Sequence, residues 1–257
     1  MMRAALAAAL ATQATAWQWW EARGRAGYVL VAYEESLNGG GLAFGQDLVR
    51  YAYNSVGFGA GRCLELCSGP GFIGFALLAA GVCDSLTLAD VTPRALDAAR
   101  ATMDHPANAW LRNRTTAYLS DGLAGVPASD MWDLVVSNPP HFSGLGRADG
   151  SPFATEERAA ANLIAGDAGW RLHRNFYARA AGHLAPAGRV IMQENGLGSE
   201  IHTFFDMIRD GGLRLVRAEP SETPATREMM YYPNGNQIDA FSTTRVEEAE
   251  RVNLIQL

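Results

Sequence analysis

The stretch Arg62 to Gly74 (RCLELCSGPGFIG) limits what this chain can fold into more than any other. An apolar run, Arg62 to Leu66, carries one acid, Glu65, and stops at Cys67-Ser68-Gly69-Pro70-Gly71; Phe72 to Ala80 then opens an apolar helix pattern. The spacing predicts a strand, a tight turn and a helix. Such a junction leaves backbone N–H groups open at the helix start, and glycines let a ligand lie against the main chain. Alone, a Gly-x-Gly turn is also an ordinary strand-to-helix corner. The sequel adds weight: Ser85 to Asp90 (SLTLAD) reads as a second strand. Its acid falls about 20 residues past the turn, where an acid holds a ribose hydroxyl in nucleotide-binding α/β folds.

Beyond it the pattern alternates. Pro93 to Met103 reads as a helix capped by Thr92, Asn113 to Leu119 as a strand leading to Ser120-Asp121-Gly122, and Trp132 to Ser137 as another strand. A helix near Asp167 to Leu184, a strand from Arg189 to Glu194, a helix from Ser199 to Asp210 and strands at Leu213–Ala218 and Ile238–Thr243 follow. This order predicts an α/β fold: a seven-stranded, doubly wound, mostly parallel sheet with an antiparallel hairpin at its end and ligands at the strands' carboxyl ends. Residues 62–257 are expected to form that catalytic domain. Residues 1–61 read as a helical and lid extension for substrate recognition or dimerisation: a helix over 3–23, a strand at Tyr28–Tyr33, a glycine-rich lid at Ser36–Gly45 and a helix at Gln46–Val56. Trp17, Trp19 and Trp20 suit docking on the main domain or on a second subunit, which would make a homodimer. Val246 to Leu257 reads as a charged helix or tail.

Charge excludes some partners. The net charge is −6 and all 21 cationic residues are Arg, so no global basic field draws in nucleic acid. Within the extension, Arg3, Arg23, Arg25 and Arg50 face Glu21, Glu34, Glu35 and Asp47, with no basic run. Cys63, Cys67 and Cys83 have no metal-like spacing and read as reduced thiols in a cytoplasmic protein. Met1 to Ala16 loosely copies a secretory signal, but alanine favours a native helix over a signal's Leu-rich centre. No run of about 20 apolar residues is present to span a membrane. His105 and His202 carry no pattern, His173 and His183 read as packing or surface residues, and no metal site emerges.

Ser137-Asn138-Pro139-Pro140-His141 closes the Trp132–Ser137 strand. An Asn side-chain oxygen and the Pro139 carbonyl can both accept hydrogen bonds from one NH₂ group, and two prolines stiffen the loop that carries them. A rigid turn would also explain N-P-P by itself. With the other landmarks, residues 62–244 resemble a class I S-adenosylmethionine-dependent methyltransferase with a Rossmann-like fold. The resemblance is to the group whose fourth strand ends in N-P-P-aromatic, which includes the glutamine methyltransferases of release factors and ribosomal proteins, guanine N2-methyltransferases of ribosomal RNA and adenine N6-methyltransferases of nucleic acid. The acid-x-Gly-x-Gly-x-Gly motif is matched by Glu65 to Gly71, with Cys67 in place of the first glycine, and His141 stands where an aromatic is usual.

The resemblance implies S-adenosyl-L-methionine along Glu65, Cys67, Gly69 and Gly71, with Asp90 on the ribose, Asp121 and Gly122 at the adenine, and Asn138 between cofactor and acceptor. It implies Asn138, Pro139, Pro140 and His141 as the catalytic loop. His141 is expected to stack on or orient the acceptor in preference to acting as a base; if it only hydrogen-bonds the loop, Phe142 next to it supplies the aromatic platform. Tyr33, Phe44, His141, Phe142, Glu194 and Asn195 are the candidate substrate contacts, and Glu194 with Glu34 and Glu35 could gather an acidic pocket for an amino or guanidino group. The expected reaction is N-methylation of a planar or amino nitrogen on a small molecule or amino-acid-like group. Rivals are a protein glutamine, the exocyclic amine of a base in RNA or DNA, and a sensor that binds the cofactor without turnover.

Overall fold

The computed structural model describes residues 17–37, 41–143, 166–195, 199–220 and 238–245. Strands β1 (Gln18–Gly24) and β2 (Gly27–Tyr33) pair as an antiparallel hairpin and lead to α1 (Gly41–Val56). Then come β3 (Arg62–Leu66), α2 (Phe72–Ala80), β4 (Ser85–Asp90), α3 (Pro93–Asp104), β5 (Thr115–Leu119) and β6 (Trp132–Ser137). The remaining elements are α4 (Arg171–Ala180), β7 (Leu184–Asn195), α5 (Phe205–Asp210), β8 (Leu213–Pro220) and β9 (Ile238–Arg245).

Strands β3 to β9 lie in one sheet in the order β5-β4-β3-β6-β7-β9-β8. The first five positions are parallel, and β9 runs antiparallel to both β7 and β8. From β3 the chain first builds outward through β4 and β5, then returns to β6 on the other side. The direction of winding therefore reverses between β3 and β6, and at such a switch point the loops diverge and leave a crevice at the carboxyl ends. The glycine turn follows β3 and the Asn-Pro-Pro turn follows β6, so the topology brings both motifs to one crevice.

Helices cover both faces, which is why β3 is buried at four of its five positions instead of alternating. One core layer gathers Val31, Phe75, Leu77, Leu78, Leu134 and Ile191; the other gathers Leu64, Leu66, Val135, Phe176, Tyr177 and Leu184.

Several elements differ from expectation. Gln18–Gly24 is a strand, not the end of a helix over 3–23: Trp20 and Ala22 turn inward at period two, and pairing with β2 outweighs the alanine pattern upstream. Residues 3–16 of that expected helix lie outside the described residues. Helix α1 starts at Gly41, so half of the expected Ser36–Gly45 lid is helix, Glu35–Leu37 is a 3₁₀ turn, and residues 38–40 lie outside the described ones. The helix expected at Ser199–Asp210 divides into a 3₁₀ turn, Ile201–Phe204, and the short α5. The expected tail, 246–257, lies outside the described residues, as does most of the loop after Phe142.

The hairpin's outer edge is closed by side chains from the main domain. Leu30 N–H donates to Asn108 Oδ1 (3.0 Å), Asn108 Nδ2 donates back to Leu30 C=O (2.8 Å) and to Thr102 C=O (2.7 Å), and Ala32 N–H donates to Thr102 Oγ1 (2.8 Å). Asn108 is fully buried, so its removal leaves backbone groups without partners in a dry environment. We predict that Asn108→Ala lowers the urea-unfolding free energy by about 3 kcal/mol, since each stranded buried group costs about 1–3 kcal/mol. A loss under about 1 kcal/mol would show that the hairpin is not held this way.

Candidate cofactor and acceptor site

The glycine turn is built by backbone angles and two carboxylates. Cys67, Gly69 and Gly71 all take positive φ (55°, 50° and 91°), so Cys67 adopts the angle that the motif's usual glycine supplies without strain. Buried Glu65 accepts the Gly74 N–H at 2.7 Å, and a Cβ on Gly74 would fall 2.6 Å from Leu86 Cδ1 and 2.7 Å from that carboxylate oxygen, so a side chain there would have to displace them. Asp90 accepts from Gly69 N–H through Oδ2 and from Thr92 N–H through Oδ1, both at 2.8 Å. Across the crevice, Ser137 Oγ donates to Leu66 C=O (2.8 Å), which ties the end of β6 to the end of β3 just before their two turns.

Between these turns opens a cavity of about 570 Å³. Glu65, Cys67, Gly69, Asp90, Asp121, Gly122 and Asn138 line it, and Pro140 joins them from the acceptor side. Seven of the eight residues expected to hold the cofactor thus line one cavity; Gly71, in the same turn, is not among the lining residues. Ser36 and Leu37, from the link after the hairpin, and Asp167, Arg171 and Leu172, at the start of α4, also line it and were not foreseen. Arg171 Nη1 donates to Asp121 at 2.8 Å in an exposed pair. The donor set suits an adenosine-bearing cation: carboxylates at Asp90 and Asp121 for hydroxyls and an amino group, Val91 and Leu172 as apolar walls for a planar base, and an acidic balance overall.

The candidate substrate contacts divide. Pro139, His141 and Phe142 follow Asn138 directly but are not among the lining residues. His141 and Phe142 meet edge-on with ring centroids 6.3 Å apart, and Phe142 C=O accepts the Asp167 N–H at 3.0 Å. Tyr33 packs edge-on against Phe72 at 5.3 Å and stays off the cavity wall. Glu34 is committed to Arg94 at 2.8 Å, and that guanidinium lies 4.0 Å over the Trp17 ring. The side chains of Phe44 and Asn195 lie outside the described residues.

Glu194 is 3% exposed and spends both oxygens inside the protein. Its Oε1 lies 2.9 Å from His173 Nε2 and its Oε2 lies 3.2 Å from His141 Nδ1, with Ser199 Oγ also donating to Oε2 at 3.4 Å. It therefore opens no acidic pocket of its own. His173 Nδ1 lies 2.7 Å from Asp167 Oδ2, and Asp167 also accepts the Leu172 and His173 N–H groups at the start of α4. The His173 ring stacks on Phe204 with centroids 4.8 Å apart. So His173, expected to be a packing or surface residue, is the centre of a buried chain that ends on the Asn-Pro-Pro-His loop.

Burial works against charge in this chain, but its members outweigh burial. His173 is driven up to about 9 because the Glu194 charge and the hydrogen bonds to Asp167 and Glu194 exceed the desolvation penalty. Burial likewise opposes the charge of Glu194 and of Asp167. His173, helped by His141 at Glu194 and by backbone N–H groups at Asp167, still holds both carboxyls below the usual range. Glu65 goes the other way: burial lifts it to about 8 despite backbone hydrogen bonds from Gly74 and Ile73. Burial also pushes the Cys67 thiol up, so it stays protonated. Among the described residues no group of three or more His, Cys, Asp or Glu is arranged to hold a metal ion, and no helix is long and apolar enough to cross a membrane.

The two raised groups give stability a pH dependence of one sign. His173 binds its proton more tightly in the folded chain, about 9 against 6.5, so its contribution is complete below pH 6.5 and is lost as pH rises to about 9. Glu65, raised from 4.5 to about 8, contributes fully below 4.5 and loses that contribution by about 8. The urea midpoint is expected to fall steadily between pH 6.5 and 9. His173→Gln should flatten the upper part of that fall and Glu65→Gln the lower part. A midpoint that is level or rising across the window contradicts both assignments.

The profile of the methyltransferase small domain family matches residues 53–198, more than half of the chain. The release factor glutamine methyltransferase of Deinococcus radiodurans is 32% identical over 133 residues, which are 51% of this chain and 45% of that protein. The chain thus spans less than half the length of this curated relative. Among solved structures, a tRNA m1G37 methyltransferase from M. jannaschii superposes with a TM-score of 0.54 at 11% identity, over 91% of this chain and 56% of that one. A SAM-dependent methyltransferase from Leishmania major gives 0.51 at 13% identity, over 78% of this chain and 73% of that one. At these identities the structural likeness is one of fold.

Proposed function

This chain belongs to the methyltransferase small domain family with S-adenosylmethionine as its cofactor, and from that premise we propose that it methylates a planar or amino nitrogen of a small-molecule or amino-acid-like substrate. The observation that carries the proposal is shared lining: Asn138 and Pro140 stand in the wall of the same cavity as Asp90 and Asp121. The cofactor lies along the turn that carries Glu65, Cys67, Gly69 and Gly71, Asp90 takes the ribose, and Asp121 and Gly122 the adenine. When bound, S-adenosylmethionine supplies a methyl group on a cationic sulfur, which a nitrogen lone pair can attack in line. The protein's part is placement.

Asn138 Oδ1 and the Pro139 carbonyl accept hydrogen bonds from the acceptor N–H groups, which turns the nitrogen lone pair toward the cavity. Pro139 and Pro140 hold these acceptors stiffly, and the Ser137–Leu66 hydrogen bond fixes the loop's base. His141 and Phe142 flank the acceptor. Residues 1–61 serve as the recognition extension; Ser36 and Leu37 already close one side of the cavity. A protein glutamine is the second reading, favoured by the 32% identity to a release factor enzyme. The net charge of −6 argues against an RNA or DNA acceptor, because such enzymes neutralise phosphates with cationic side chains.

Asn138→Ala tests this. Titrated with S-adenosylhomocysteine, the variant is expected to stay within a few-fold of wild-type affinity. Labelled-methyl transfer into the small-molecule or protein fraction of the host cell should fall by about 100-fold or more, as for loss of an oriented acceptor in a preorganised site. Undiminished transfer would remove Asn138 from the mechanism. Label entering mainly RNA would overturn the substrate class.

A further inference from the structure

We propose that Asp167, His173 and Glu194 are positioning residues that lock His141 in one tautomer, with its proton on Nδ1, so that Nε2 faces the acceptor as a proton-accepting base. This deepens, and rests on, the reading of Asn138–His141 as the acceptor loop.

The argument is one of donors and acceptors. An ionised carboxylate has lone pairs only, so any group hydrogen-bonded to it must donate. His173 has a carboxylate at each ring nitrogen, Asp167 at 2.7 Å and Glu194 at 2.9 Å. Both nitrogens must therefore carry protons, and the ring is an imidazolium stacked on the Phe204 face. That cation holds Glu194 ionised in a place where a lone carboxylate would take up a proton. The ionised Glu194 then requires a donor from His141, at 3.2 Å, and the His141 nitrogen nearest to it is Nδ1. A neutral His141 so fixed has its remaining lone pair on Nε2.

Asp167 and Glu194 are negative and His173 is positive, so these three leave a net charge of −1 beside His141. The other titratable groups against the chain add no charge. Tyr177 and Cys67 are kept neutral by burial, and the Tyr177 hydroxyl donates to Met192 Sδ. In the step proposed, an N–H bond of the acceptor breaks, its electron pair stays on nitrogen, and a new N–H bond forms at His141 Nε2. The resulting imidazolium pairs with Glu194 and later releases the proton to solvent, which reaches its 17% exposed side chain. A site with this device suits a nitrogen that arrives carrying an ionisable proton, such as an amine or a guanidine, and gives the histidine a task that the aromatic usual at this position cannot perform.

The direct test is ¹⁵N-detected imidazole NMR of the cofactor-free protein through a pH titration, with the five histidines assigned by single His→Gln variants. The expected spectrum shows His173 protonated on both nitrogens until pH approaches about 9, and neutral His141 with its proton on Nδ1. Glu194→Gln is expected to remove the tautomer preference of His141, a change that loss of packing alone does not produce. A neutral His173 at pH 7, or His141 with its proton on Nε2, overturns the inference without touching the proposed reaction. A second arm uses His141→Phe, which keeps a stacking ring and removes the base. It should keep S-adenosylhomocysteine affinity and lose about 100-fold or more in methyl transfer, the usual contribution of a positioned general base. Wild-type transfer rates in His141→Phe also overturn it. Failure of the wild type itself to transfer methyl would count against the proposed function, and the spectrum would still decide the tautomer.

Discussion

Asp90 accepts two backbone hydrogen bonds at the end of β4, and the cavity depends on that pair. Through Gly69 N–H it fixes the glycine turn after β3, and through Thr92 N–H it fixes the entry to α3. One side chain thus sets the relative position of two adjacent strand ends. Charge-assisted bonds of this kind are short and about twice as strong as neutral ones. The same carboxylate lines the cavity, so the group that shapes the wall is also presented to a ligand. A topological reversal between β3 and β6 supplies the space, and the Ser137–Leu66 bond keeps its two rims in register.

The other wall is governed by charge. Four ionisable groups from the Asp167 turn, α4, β7 and the Asn-Pro-Pro-His loop are packed with little access to water. Burying such a set costs more than an apolar core of the same volume would, and deleting one member leaves a buried charge without its partner. Its retention makes sense where orientation matters more than stability, because the chain leaves the loop histidine a single tautomer. The stability this network confers at neutral pH declines in alkali with His173, which shares Glu194 with the loop histidine, so stability and proton chemistry meet at one carboxylate.

What the sequence made legible was local. Glu65, Cys67, Gly69, Asp90, Asp121 and Asn138 each sit at or just past a strand end with their motif neighbours beside them, and the structure gathers them around one cavity. The parallel order was readable for the same reason, since alternating strands and helices leave few ways to wind. The β1–β2 hairpin was not, because an alanine-rich stretch ahead of it favours a helix locally and strand pairing is decided by contacts far along the chain, including Asn108 and Thr102. The Asp167–His173 pair was hidden by a kink: Gly169 and Trp170 both take positive φ, so the helical spacing used to read residues 167–184 does not apply at its start. Glu194 was read as a rim acid because its place at the end of β7 is visible in sequence, while the two histidines that occupy it are not.

The central claim is that the glycine turn and the Asn-Pro-Pro turn enclose one S-adenosylmethionine site organised by Asp90. Isothermal calorimetry of wild type and Asp90→Ala, each titrated with S-adenosylhomocysteine and with NAD, tests it most directly. The account predicts one S-adenosylhomocysteine per chain for the wild type, no comparable heat with NAD, and a loss of affinity of at least about 10-fold in Asp90→Ala, since each lost charge-assisted hydrogen bond is worth about 1.5–3 kcal/mol. Heat with NAD alone, or unchanged S-adenosylhomocysteine affinity in the variant, would contradict it.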